Sequence, residues 1–203
     1  MRPSTRRELL AGPAGRIECA LDAAEGPTRG VALVAHPHPL FGGTLDNKVA
    51  QTLARAFVEL GYAALRPNFR GVGGSQGKHD EGGGEVDDLA AVLAWARTRF
   101  GEQPPVLAGF SFGAAVQARL AQRVKPERMV LVGLAVNRFE VPAVPSDTLV
   151  VHGEEDLTVP LAAVLAWARP QDLPVILVPG ADHFFHRRLQ VLHTIVRSNW
   201  RTA

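Results

Sequence analysis

The sequence predicts an α/β fold, a three-layer sandwich in which a mostly parallel central sheet carries helices on both faces. Two observations point there. Short apolar runs rich in Val, Leu and Ala recur along the chain, and between most of them lie longer stretches whose apolar residues repeat with helical period. Strands alternating with helices at this spacing imply right-handed β-α-β crossovers, which build a parallel sheet covered on both sides. Such a sheet keeps its chemistry at the carboxyl ends of its strands. The residues just after each strand are therefore the ones to read for function.

The strand-like runs are Arg16–Leu21, Val31–Ala35, Tyr62–Arg66, Val106–Ala108, Met129–Gly133, Thr148–Val151 and Val175–Val178. Val49, Leu53, Phe57 and Leu60 mark one helix face; Val86, Leu89, Leu93, Ala96 and Phe100 mark a second. Val116, Leu120 and Val124 mark a third, and Phe185, Leu189, Leu192, Val196 and Trp200 a C-terminal one. No repeat or low-complexity linker divides the 203 residues, which fit one domain, 1–203, of ordinary size.

Composition narrows the function classes. Hydrophobic residues make up 46% and charged residues 21%, the balance of a soluble globular protein. A net charge of +2, with no basic stretch interleaved with aromatics, gives no footprint for nucleic acid. The best apolar run, Met129–Val136, is far too short to span a bilayer. A single cysteine, Cys19, reads as a semi-buried strand thiol that forms no intrachain disulfide. Cytoplasmic location, no membrane partner and no nucleic-acid partner are the expectations.

The pattern G-x-S-x-G occurs twice, centred on Ser75 and on Ser111. It works by geometry: a sharp strand-to-helix turn lifts the hydroxyl above the sheet, and glycines on either side avoid collisions with neighbouring backbone. Ser111 follows Pro105–Ala108 and precedes the helix-forming Ala114–Val124, so it has both neighbours the mechanism needs. Ser75 lies in a Gly-rich loop running to Gly84, with no helix behind it, and reads as a loop serine. That loop has neither dinucleotide-fingerprint nor P-loop spacing.

A nucleophilic serine needs a base, and the base needs a partner that fixes its tautomer. With an elbow serine, the acid and then the histidine follow in the chain. The run His152-Gly-Glu-Glu-Asp-Leu-Thr-Val-Pro160 offers Glu154, Glu155 and Asp156; Asp156, deepest in the turn, is favoured as the acid. After the last strand, His183 falls in the loop and is favoured as the base. His186, read as one turn into the final helix, is the reserve. Asp182 is assigned to the helix-entry turn and His193 to the helix flank.

Acyl transfer also needs N–H donors aimed at a developing oxyanion. Phe112, directly after the serine, supplies one. The second falls to the loop His36-Pro-His-Pro-Leu-Phe-Gly-Gly43, where Pro37 and Pro39 have no N–H. His38, Leu40 and Phe41 remain, and Leu40 is favoured. The His36-x-His38 pair invites a metal reading, but no further His or Cys cluster completes a site, so no metal and no cofactor are expected.

The Ser111 elbow, HGEEDLTVP around Asp156, GADHFF around His183 and FRGVGGSQG at residues 69–77 resemble the corresponding stretches of α/β-hydrolases. HPHPLFGGTLDNKV is similar to a group of small bacterial members related to dienelactone hydrolases and small carboxylesterases. The resemblance covers nearly everything from Arg16 onward. It implies an eight-stranded sheet, here somewhat trimmed at its N-terminus, and a serine esterase-type activity on a small-molecule ester. Related dienelactone hydrolases use a cysteine nucleophile; this chain has serine there. Many α/β-hydrolases insert a helical lid after the sixth strand, whereas only Leu134–Asp147 joins the two strands here. An open pocket walled by Leu40, Phe41, Phe112, Leu157 and Phe184 is the expectation, suited to short or exposed acyl groups.

Overall fold

A computed structural model describes residues 4–23 and 26–200. Its strands are β1 (Ser4–Gly12), β2 (Gly15–Ala23), β3 (Val31–Ala35), β4 (Ala63–Pro67), β5 (Val106–Phe110), β6 (Arg128–Val132), β7 (Leu149–Gly153) and β8 (Val175–Val178). The helices are α1 (Lys48–Glu59), α2 (Gly83–Phe100), α3 (Phe112–Leu120), α4 (Leu161–Ala168) and α5 (Leu189–Asn199). One sheet orders the strands β1-β2-β4-β3-β5-β6-β7-β8. The β1–β2 and β2–β4 pairings are antiparallel, and the rest are parallel.

Strands β3, β4, β5 and β7 are buried along their whole length, which is why they read as unbroken apolar runs. Their side chains still alternate between faces. Leu33, Leu65, Leu107 and Leu131 meet Leu89 and Leu93 of α2 and Val116 and Leu120 of α3. Val34, Ala64, Ala108 and Val132 meet Leu53 and Phe57 of α1 and Leu192 and Val196 of α5. Val150, beside Leu131 in the register, points with it and packs on Val164 and Ala168 of α4. The result is the three-layer sandwich. Asn47 starts α1 by accepting the Val49 and Ala50 N–H groups on its side-chain oxygen.

Two sequence expectations need correction. The sheet is not trimmed: β1 supplies an eighth strand that the sequence conceals, because an edge strand bearing Arg6, Arg7 and Glu8 shows no apolar run. The final helix begins at Leu189, not Phe185. Phe185 is wholly buried, but it reaches the core from a loop, at φ 55°. His186 therefore sits in that loop and not one turn into a helix. The connection from β6 to β7 holds neither helix nor strand, so among the described residues no lid domain covers the sheet. Among the described residues no helix is long and apolar enough to cross a membrane.

Candidate active site

The turn out of β5 forces Ser111 to φ 56° and ψ −117°. Such a conformation is strained for a non-glycine residue and persists only where the surroundings over-determine it. The two flanking glycines let it close. A Cβ at Gly109 would stand 2.5 Å from the Gly113 carbonyl oxygen, and one at Gly113 2.5 Å from that of Ala35. The Ser111 N–H donates to the Val132 carbonyl at 2.9 Å, tying the turn to the end of β6. Ser111 remains 8% exposed, at the floor of a pocket.

Three elements deliver the remaining groups. The Ser111 hydroxyl lies 3.0 Å from His183 Nε2, and His183 Nδ1 lies 2.6 Å from Asp156 Oδ2. A carboxylate only accepts, so Nδ1 carries the proton and Nε2 is left to accept from the serine. Asp156 is itself fixed: its Oδ1 accepts the Thr158 and Val159 N–H groups at 2.9 and 2.8 Å. His183 is flanked by the Phe110 ring, at 4.9 Å between centroids, and by the Phe184 ring, at 5.2 Å. Burial lowers the pKa of His152, which lies 3.7 Å from Asp156 and whose Nε2–H donates to the Val159 carbonyl. Of these two rings, His183 is the one that donates a hydrogen bond to the Asp156 carboxylate.

The competing residues lie elsewhere. Glu154 turns outward to accept the Gly180 N–H, and Glu155 is exposed. Asp182 and His186 form a separate surface pair at 2.6 Å. His193 faces Glu59 of α1.

Of the loop N–H groups the sequence offers, two are already engaged. Leu40 has spent its N–H on His38 Nδ1, and Phe41 has spent its own on the His38 carbonyl, because Pro39–Phe41 winds into a 3₁₀ turn. Among the described residues the N–H groups of His38 and Phe112 meet no acceptor. The His36-x-His38 pair does not converge either. His36 is fully buried, accepting the Phe69 N–H at Nε2 and donating from Nδ1 to the Pro37 carbonyl. Burial pushes its pKa down to about 4. The His38 ring instead joins the pocket wall, and no described group of three or more His, Cys, Asp or Glu is placed to hold a metal.

The pocket has a volume of about 240 Å³. Phe41, Phe112 and Phe184 line it. Leu40 and Leu157 do not: they are 70% and 95% exposed and point away. Asp156 turns inward to His183, which throws the next side chain in that tight turn outward. Sequence reasoning missed Arg138 and Phe139, which enter the pocket from the β6–β7 connection. It also missed a buried pair behind the oxyanion loop. His79 Nδ1 lies 2.8 Å from Glu85 Oε1, and the His79 ring braces both His38, at 4.7 Å, and Phe112, at 5.3 Å. The Gly-rich loop gave no spacing from which to find it.

Residues 38–140, about half the chain, match the family model described as the alpha/beta hydrolase fold. An uncharacterized protein of Rickettsia prowazekii is 36% identical over 196 residues, covering 88% of this chain and 82% of that one. The chain belongs to the α/β-hydrolase family. Among solved structures, an α/β serine hydrolase without a lid from Xanthomonas campestris is 36% identical, with a TM-score of 0.90 over 97% of this chain and 93% of that one. An α/β serine hydrolase homologue from Coxiella burnetii is 38% identical, with a TM-score of 0.87 over 97% of each chain. The bare β6–β7 connection of this chain agrees with the lidless description of the Xanthomonas structure.

Proposed function

We propose that this α/β-hydrolase cleaves a carboxylic ester through an acyl-enzyme on Ser111. The observation that carries the reading is the unbroken hydrogen-bond chain from Ser111 through His183 to Asp156, opening on a pocket with largely aromatic and aliphatic walls. As Ser111 Oγ attacks the ester carbonyl, His183 Nε2 takes its proton. The imidazolium that forms is stabilised by Asp156, which keeps its charge. His183 then gives the proton to the leaving alcohol. It next takes one from the water that attacks the acyl-enzyme, and returns it to Ser111 as the acid departs.

The negative charge on the carbonyl oxygen needs donors that are already in place. Phe112 N–H, at the N-terminus of α3, and His38 N–H are assigned that role. Removing one such donor commonly costs about 10²–10³ in kcat. The strain at Ser111 and the tight packing under His183 serve the same end, since the groups need no rearrangement when charge develops.

Turnover of p-nitrophenyl esters from acetate to decanoate by wild type and Ser111→Ala tests the proposal. Wild type is expected to favour the short esters, because the pocket is small and no lid adds apolar wall. Ser111→Ala is expected to fall by roughly a million-fold, the scale seen when a triad acts as one unit. A mutant that turns over these esters at wild-type rate would remove Ser111 from the mechanism.

A further inference from the structure

Of the side chains lining the pocket with Ser111 and His183, Arg138 is the one whose charge does not depend on pH. No Asp or Glu is among the lining residues. Arg138 is exposed, and among the described residues it makes no ion pair, whereas Arg7, Arg66, Arg70 and Arg123 each have a carboxylate partner. Two carboxylates beyond His38 are turned to His79: Glu85 at 2.8 Å and Glu81 at 3.6 Å.

The guanidinium is not loose. It stands over the Phe41 ring, 5.8 Å from the centroid. The segment that carries it is pinned at both sides. The N–H groups of Arg138 and Phe139 both donate to the Ala135 carbonyl, and Asn137 Nδ2 donates to the Thr158 carbonyl, two residues from Asp156. An arginine set on an aromatic face, beside apolar walls and with no internal partner, suits a planar anion, which it binds through two parallel N–H donors.

We propose that the substrate carries a carboxylate, or a group of the same charge and shape, which Arg138 binds while the ester carbonyl sits at Ser111. The proposal rests on the hydrolase reading above and adds the class of ester. Arg138 acts in specificity and takes no part in proton transfer.

Two matched pairs of esters test it, one with the anion on the acyl side and one with it on the alcohol side. They are phenyl hydrogen glutarate against phenyl pentanoate, and 4-butyryloxybenzoate against its methyl ester. In at least one pair, wild type is expected to favour the anion by about tenfold or more in kcat/KM, the worth of a single charge-assisted contact. Arg138→Gln should erase that preference, chiefly through KM, and Arg138→Lys should restore part of it. The preference should also shrink in about 0.5 M salt, where charges are screened within a few ångströms. Neutral esters turned over with no preference for the anion in either pair, or a preference that survives Arg138→Gln, would overturn the assignment and leave the hydrolase reading standing. No turnover of any of the four esters by wild type would overturn both.

Discussion

Ser75 and Ser111 occupy the same five-residue pattern, and the fold treats them in opposite ways. Ser75 is buried with its hydroxyl fully engaged: it donates to the Asn68 carbonyl at 2.8 Å and accepts the Glu18 N–H at 2.9 Å. It locks the Gly-rich loop to β2. Ser111 has its backbone strained and its hydroxyl aimed at an imidazole. The same glycines allow a loop to pack closely in one place and a turn to close in the other. A serine motif therefore acquires chemical meaning only from the elements on either side of it. His36 joins the two regions, since its ring holds the Phe69 N–H at the root of the Ser75 loop while its carbonyl lies against Gly113.

Substitutions can break this comparison on either side. Asp156→Asn, which leaves both Ser111 and His183 in place, should have the largest effect of the substitutions that separate the two regions. An amide at that position no longer holds the imidazole in the tautomer whose Nε2 accepts, and a loss of about 10⁴ in kcat is expected. Steady-state kinetics on a short p-nitrophenyl ester checks this. Equal sensitivity at Glu154 or Glu155 would contradict the assignment of the acid.

His36 sharpens the comparison through pH. Its pKa falls from an ordinary 6.5 to about 4 on folding because burial disfavours the charged ring. Between those values the unfolded chain binds a proton that the folded one does not. Stability is therefore complete above about pH 6.5 and declines as pH falls toward 4, by about 3 kcal/mol over the whole window. Ring-nitrogen NMR shifts should report a neutral His36 at pH 5.5 in the native protein, with urea midpoints declining below about pH 6.5. A His36 ring that titrates near pH 6.5 in the folded state would remove it as the joint between the two regions.

Ser75→Ala is expected to have the smallest effect and the opposite character. It leaves the Asn68 carbonyl and Glu18 N–H without their partner, which costs about 1–3 kcal/mol of stability. Denaturant midpoints measure that loss, while turnover per folded molecule should stay within a few-fold of wild type. A collapse of turnover in the fully folded variant would show that the loop does more than support.

Much of this was legible in the sequence because parallel strands buried on both faces must be apolar throughout, and the groups that follow them lie in fixed order. The strand before Ser111 and the helix after it were enough to separate it from Ser75. What stayed hidden depended on directions that loops take. Nothing in the run from Glu154 to Leu157 says that Asp156 turns in and Leu157 out; that follows from where His183 arrives. Leu40 was a fair donor until the 3₁₀ turn used its N–H. The β6–β7 connection carries no motif, so nothing in the sequence marks Arg138 and Phe139, which complete the pocket wall. Strand β1 was hidden by its charges, and Phe185 mimicked a helix position because burial, not helical period, fixed it.

Reaction of the wild-type protein with a fluorophosphonate, followed by mass analysis of its peptides, tests the central claim most directly. The account predicts a single stoichiometric adduct on the peptide carrying Ser111, none on that carrying Ser75, and loss of labelling in His183→Ala. Absence of any adduct in the native protein, or an adduct on Ser75, would contradict it.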